Sequence, residues 1–343
     1  MPRTVRLDNP LTVGEHINFT MRSHQYKTYM ALMEGKTRFV ERIHRRYGKD
    51  RNWMNLILIS SLKRIGIYIH VFPALNMGRR DVWENVIQEK RNGIERAFKM
   101  TDMFPSQFIR RKLDDAMFIE FIWGSTYQIM GADDDASIDR LRGPNPIGVV
   151  RSERAFMNSK VERVLEPVLL ENKGWSADIS TPNVEGDDFD MLCKFAELES
   201  QRPDSKYFYQ SLTIEDTFRD SEGEDGSPVI TKEDIEGLRR KGVREEEIQR
   251  EYYCNNVGYR HGTIYGDLMN RALLEQRIGR FAYNPMFPVG VCIDLGYNPG
   301  DMMAVWCYQK IGPSHIYFIN YKEWTQGSNL LVTKWLREDN PYR

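Results

Sequence analysis

At 343 residues the chain is long enough for two domains, or for one large domain and part of another. Hydrophobic residues at 41%, aromatics at 12% and near-average counts of Gly and Pro (25 and 15) exclude collagen-like, low-complexity and disordered classes. Lysine and arginine number 48 against 49 acidic residues, a net charge of −1, so any contact with nucleic acid has to come from local basic patches. In chain order, the pattern predicts a helix over 25–33, a strand over 38–43, a tight turn over 44–49 and an apolar helix over 53–62. A β-branched and aromatic run over 67–72, closed by Pro73, reads as a buried strand. Val82, Val86, Ile94 and Phe98 fall at helical spacing and predict a second helix over 78–98. Strand, turn, helix and strand in this order favour a parallel, doubly wound sheet.

Residues 118–122 and 127–130, separated by Trp123-Gly124-Ser125, read as a hairpin. A short apolar strand over 147–150 runs into Arg151-Ser152-Glu153, which puts a carboxylate at its carboxyl edge. An amphipathic helix over 160–170 and a strand over 175–180 follow, the latter stopped by Thr181-Pro182-Asn183. Ligands of open α/β sheets bind at the carboxyl ends of the strands, so three candidate functional turns fall on one edge. From 216 to 251 the composition shifts to SEGEDGSP and a charged helix over 231–252, with Thr231 as N-cap and Asp234 three residues on, a linker signature. Beyond Pro288, apolar strands over 289–295, 302–309 and 316–321 joined by short turns predict an antiparallel meander with a final helix over 329–336. The longest apolar stretches fall far short of the ~20 residues that span a bilayer. The N-terminus lacks a signal-like apolar run, and Cys193, Cys254, Cys292 and Cys307 form no C-x-x-C pair. A reducing, cytosolic setting without membrane or structural zinc is expected.

Between Lys36 and Arg51 stand seven basic residues against two acids, for which a solvated helix face is the plain reading. Within this run, His44-Arg45-Arg46-Tyr47-Gly48-Lys49-Asp50 is the sharpest signal. A glycine and lysine at a strand-to-helix turn let backbone N–H groups close around phosphate while the lysine reaches the terminal phosphates. Against the pattern G-x-x-x-x-G-K-[ST], Ile43 takes the place of the first glycine and Asp50 that of the hydroxyl residue. Glu153 at a neighbouring strand end supplies the carboxylate that an NTPase uses to orient water, and Ser152 stands where an aspartate often stands. Taken singly, these are also an ordinary basic turn and a surface acid at a helix start; the ordered pair is the stronger observation.

The ordered series of motifs resembles the large subunit of tailed-bacteriophage terminases, the ATP-driven motor and nuclease that packages double-stranded DNA. It is carried by Gln25, HRRYGKD (44–50) as a deviant Walker A, YIHVFPALNMGRRDVW (68–83) and GSTYQIMGADDDASIDRLRG (124–143). It continues through GVVRSERAFMN (148–158) as Walker B, GWSADISTPN (174–183) as coupling motif, GTIYGDLMNRALLEQRIGR (262–280) and IDLGYNPGDMMAVWCYQ (293–309). The resemblance spans nearly the whole sequence. It implies an α/β chain with a P-loop NTPase-like, mainly parallel sheet and flanking helices, followed by a partial ribonuclease H-like domain. The expected division is an ATPase domain over 1–215, a connecting helical region over 216–285 and an incomplete nuclease domain over 286–343.

Residue by residue, the resemblance implies that Gly48 and Lys49 bind ATP phosphates, that Gln25 reads adenine, and that Arg45 or Arg46 approaches the γ-phosphate as a cis-acting arginine. Asp50 and Ser152 then fall at the Mg²⁺ positions, Glu153 is the catalytic glutamate, and Ser180, Thr181 and Asn183 couple hydrolysis to DNA-contacting loops. Asp294 is the first ligand of a nuclease metal pair, Mg²⁺ or Mn²⁺, with Asp301 near a second loop position and Asn320 where an aspartate is common. Further aspartates of that site are expected beyond residue 343, so cutting activity is doubtful in this chain. The C-terminal portion is expected to be of marginal stability unless its open sheet edge is covered. Implied partners are double-stranded DNA, a portal and prohead, a small terminase subunit and further copies in a ring, in the host cytoplasm. A helicase-like remodelling ATPase and a non-catalytic fragment that binds DNA or capsid components remain as alternatives.

Overall fold

The computed structural model describes residues 20–255 and, beyond them, 281–294, 303–312, 315–324, 329–340 and a few positions between 268 and 279. The chain folds as two compact units, Met1–Gly266 and Asp267–Arg343.

The described part of the first unit is built on strands β1 (Arg38–Ile43), β2 (Ile67–Phe72), β3 (Val86–Arg91), β4 (Ile94–Lys99), β5 (Ile109–Leu113), β6 (Phe118–Phe121), β7 (Thr126–Gly131), β8 (Pro146–Ser152), β9 (Trp175–Ser180) and β10 (Tyr207–Leu212). Its helices are α1 (Ser23–Met33), α2 (Lys49–Lys63), α3 (Asp135–Arg140), α4 (Lys160–Glu171), α5 (Asp188–Ser200), α6 (Lys232–Arg240) and α7 (Glu245–Tyr253). Eight strands form one sheet in the order β10-β1-β9-β8-β2-β7-β6-β5, parallel from β10 to β7 and antiparallel over the last two pairs.

Parallel strands covered on both faces read as continuous apolar runs, and β2, β8 and β9 are buried almost throughout. Alternation sends Tyr68 and Phe72 of β2 into a core layer with Trp53, Leu56 and Ile57 of α2, while Ile69 and Val71 face Val161, Leu165 and Leu169 of α4. The result is a helix–sheet–helix sandwich. Gly148 of β8 is required by packing: a Cβ there would lie 2.5 Å from Tyr68 and 2.6 Å from Trp175.

The expected helix over 78–98 is corrected. Only Leu75–Gly78 is α-helical, a π-helical turn follows over Arg79–Trp83, and β3 and β4 form an antiparallel hairpin. Asn92 (φ 50°) and Gly93 (φ 76°) make the turn, and two successive left-handed residues suit the right-handed twist of a hairpin. The helical spacing of Val86 and Ile94 was coincidental, since both are more than half exposed. The expected charged helix over 231–252 is two helices, α6 and α7, interrupted at Gly242 (φ 80°), with the Thr231–Asp234 capping box present. The apolar helix begins earlier than expected, at Lys49.

In the second unit, β11 (Val289–Asp294), β12 (Met303–Ile311) and β13 (His315–Trp324) form the expected antiparallel meander, followed by α8 (Asn329–Lys334) and a π-helical turn over Trp335–Asp339. One face of β12 closes a small core of Met303, Val305 and Cys307 with Val332 and Trp335.

Candidate active site

β1 ends at Ile43 and the chain turns through Arg46 (φ 74°) and Gly48 (φ 85°) into α2. Both residues hold left-handed backbone, which glycine adopts freely and arginine does not. Gly48 is the N-cap, so Lys49 and Asp50 occupy the first helical turn, where unpaired N–H groups and the helix dipole attract anions. β8 ends at Ser152, and Glu153 follows with φ 53°, a second strained residue on the same edge.

These two loops meet. Lys49 Nζ lies 2.8 Å from Glu153 Oε1, although β9 separates their parent strands in the sheet. The Ser152 hydroxyl donates to Asp50 Oδ1 at 2.5 Å. Ser180, at the end of β9, is in register with Arg42 of β1, and its Oγ is 3.4 Å from Glu153 Oε2 while accepting from Ala155 N at 3.3 Å. Behind Asp50, His70 of β2 brings Nε2 to 3.3 Å from Asp50 Oδ1, and its Nδ1 is 3.2 Å from the Tyr127 hydroxyl. On either side of Glu153 in the sequence, the buried residues Arg151 and Arg154 reach Asp178 of β9 at 2.7 and 3.2 Å.

Electrostatics follow from this cluster. Burial alone would lower the Lys49 pKa, but Glu153 and Asp50 outweigh it and raise it, so the lysine is cationic. Burial alone would raise the Asp50 carboxyl, but hydrogen bonding from His70, the Lys49 charge and the Ser152 hydroxyl hold it below the ordinary range. A cavity of about 1140 Å³ opens over the cluster, lined by Gln25, Arg45, Arg46, Gly48, Lys49, Asp50, Glu153 and Thr181. A polar cleft of this size has room for a nucleotide-sized ligand.

Gln25 is buried in the first turn of α1, its Oε1 accepting from Arg22 N, and its Nε2 lies 3.9 Å from where a Gly48 Cβ would stand. The Arg45 side chain is largely exposed and 3.8 Å from Glu251 of α7. Ser180, Thr181 and Asn183 are all buried, and of the three Thr181 lines the cavity while Ser180 and Asn183 do not. Asp294 is exposed at the end of β11, paired in register with Ala304, whereas Asp301 lies outside the described residues. Asn320 pairs in register with Cys307. Among the described residues no three His, Cys, Asp or Glu side chains cluster as a metal site. His70, Tyr127 and Glu251 are neighbours of the site that motif spacing does not single out; the available signal was a histidine within the apolar run of β2.

No protein-family model matches the chain, and no curated protein matches it in sequence. Solved structures do. The large terminase of a thermophilic bacteriophage superposes with a TM-score of 0.52 at 13% identity, over 94% of this chain and 73% of that one. The same terminase in complex with ADP gives 0.50 at 13% identity, over 94% and 74%. The Thermus phage P74-26 large terminase ATPase domain gives 0.48 at 16% identity, over 71% and 96%. With its mainly parallel sheet and flanking helices, the chain has the fold of the thermophilic phage large terminase.

Proposed function

We propose that the chain is an ATP-hydrolysing motor that packages double-stranded viral DNA, working at the portal of a prohead with a small terminase subunit and as a ring of identical copies in the host cytoplasm. In this reading residues 1–215 are the motor and 216–285 connect it to a nuclease-like portion over 286–343, where Asp294 and Asp301 contribute to a site for Mg²⁺ or Mn²⁺. The observation that carries the reading is the 2.8 Å contact between Lys49 and Glu153 at the mouth of a nucleotide-sized cleft. The thermophilic phage terminase of the same fold has been solved in complex with ADP, which supports an adenine nucleotide as the ligand.

The residues then act as follows. N–H groups of the first turn of α2 hold the β- and γ-phosphates, and Gln25 stands beside Gly48 to meet the base. Lys49 leaves Glu153 for the phosphate oxygens when ATP enters, which frees Glu153 to accept a proton from the attacking water. Nucleotide entry thus converts a closed ion pair into an armed base. Ser180 keeps Glu153 oriented and, with Thr181 and Asn183, links its position to the segment after β9. Asp50 and Ser152 would hold Mg²⁺, which when bound neutralises charge developing on the phosphates. Arg45, largely exposed at 3.8 Å from Glu251, and Arg46 are the cationic groups that would swing toward the γ-phosphate. DNA is engaged through phosphates, without sequence preference and with strong salt dependence.

Phosphate release by the full chain, with and without duplex DNA, tests this. Lys49→Ala is expected to reduce turnover at least about 100-fold, the scale of losing a preorganised charge at a developing anion. Full activity in that variant overturns the assignment.

A further inference from the structure

Burying a carboxylate is costly unless donors meet its oxygens, and β1 carries one that the proposed chemistry does not use. Glu41 is fully buried, and alternation puts it with Phe39 on the face of the sheet that meets α2. Three neutral donors hold it. Its Oε1 accepts from the Thr28 hydroxyl of α1 and from Gln210 Nε2 of β10, both at 2.5 Å, and its Oε2 from Trp53 Nε1 of α2 at 2.6 Å. Gln210 is its register partner across the strand pair and also donates to Thr28 at 3.0 Å. Thr28 stands three residues after Gln25 on α1, and Trp53 four residues after Lys49 on α2. Each donor therefore lies one helical turn behind a group that would meet the nucleotide. We infer that Glu41 is a positioning residue: by tying α1 to α2 it sets the place of Gln25 against the phosphate-binding start of α2, and so fixes a preference of the cleft for an adenine nucleotide. This rests on the ATPase reading above.

The two helices depend on this bridge unequally. α2 is anchored without it, because Trp53, Met54, Leu56, Ile57 and Leu58 are fully buried in the main core. Of the five buried residues of α1, His24, Gln25 and Thr28 are polar, which leaves Tyr29 and Ala31 as its buried apolar contacts. Apolar burial is non-directional, whereas hydrogen bonds prefer near-linear geometry. The rotation of α1 about its axis is thus set by the Thr28–Glu41 bond and, at its start, by Arg22 pairing with Glu224 at 2.7 Å and Ser23 N donating to Asp220 at 3.0 Å. Gln25 Nε2 lies 3.9 Å from where a Gly48 Cβ would stand, so a shift of α1 by about an ångström would move the base-reading amide and leave the turn into α2 in place. An apolar residue at position 41 could fill the space, but it would orphan three buried donors.

The test is calorimetric titration of the full chain with ADP, GDP and inorganic tripolyphosphate, for wild type, Glu41→Gln, Gln25→Ala and the two substitutions together. Glutamine at position 41 keeps the side-chain shape but turns one acceptor into a donor that faces a donor. Wild type is expected to prefer ADP to GDP. Glu41→Gln is expected to weaken ADP about tenfold and erase most of that preference, the scale of one or two lost hydrogen bonds, with tripolyphosphate within about threefold of wild type. In the Gln25→Ala background the same substitution should cost less than about twofold more, because the two residues act through one contact. Thermal melting reports folding. If Glu41→Gln does not fold, Thr28→Val decides, since it keeps the shape, removes one donor and should weaken ADP about threefold with tripolyphosphate unmoved. An equal loss for ADP and tripolyphosphate, no loss of either, or full additivity with Gln25→Ala overturns the positioning role and leaves the ATPase reading standing. Wild type that binds ADP and GDP alike overturns the adenine preference and this role with it, and wild type that binds neither overturns the ATPase reading.

Discussion

The two sheets of this molecule handle their side chains in opposite ways. In the first unit the central parallel strands β2, β8 and β9 are buried on both faces, and loops a hundred residues apart in sequence deliver Lys49, Asp50, Ser152 and Glu153 to one edge. In the second unit a meander is covered on one face only. Trp306 of β12 and Ile316, Phe318 and Tyr321 of β13 remain exposed, and the described core is five buried residues. The lesson is that chemistry is held tightly where burial is two-sided. Asp294 sits on an exposed strand end, outside any such double-faced layer.

The comparison breaks first at Trp335, the largest side chain of the small core and 5.9 Å from Trp324. Trp335→Ala is expected to cost about 3–5 kcal/mol, most of what so small a unit has. Limited proteolysis should then cut beyond residue 267 much sooner while 20–255 resists as before. Unchanged resistance of the C-terminal part would show that its stability does not reside in this cluster.

At the two-sided edge, Glu153→Gln keeps the shape of the carboxylate but removes the proton acceptor. Turnover is expected to fall about 10²–10³-fold, with ADP affinity altered far less, read from kcat against nucleotide binding. An equal loss in binding would mean that Glu153 shapes the cleft and does not activate water.

Acid sharpens the contrast by a smaller effect per pH unit, because it acts on histidines buried in the first unit. Burial pushes His24 down to about 4, helped by the Arg22 charge, and burial likewise takes His44 to about 4. Each is neutral in the folded state, and the unfolded chain takes up the extra protons below the ordinary value of 6.5. Stability of the first unit should therefore fall as pH drops from 6.5 toward 4, by roughly 1 kcal/mol per pH unit for each histidine. Melting temperatures at pH 7, 5.5 and 4.5 measure it, and a flat profile for Met1–Gly266 would contradict the buried, neutral assignment.

Much of the first unit is legible in the sequence. Strands 38–43, 67–72 and 175–180 fall where expected, the last two closed by Pro73 and by Thr181-Pro182-Asn183, and the Thr231 cap is visible as a hydroxyl three residues before an acid. The hairpin of β3 and β4 shows how a periodic pattern misleads: Asn92-Gly93 carried the decisive signal, while four apolar residues at helical spacing argued for a helix that solvent would not have favoured. The segment with α5 and β10 had no clear pattern to read, because β10 is half-buried at a sheet edge and α5 keeps Met191, Phe195 and Leu198 exposed.

By itself the sequence determined the local pieces: where strands stop, that glycine and lysine sit at a helix start, and that a glutamate follows an apolar strand. These depend on interactions within a few residues, which spacing and turn chemistry expose. Only the tertiary structure decided that Lys49 reaches Glu153, that Asp50 meets Ser152 and that His70 stands behind them. Those contacts depend on strand order, with β9 between β1 and β8, and no local period encodes which strand lies beside which.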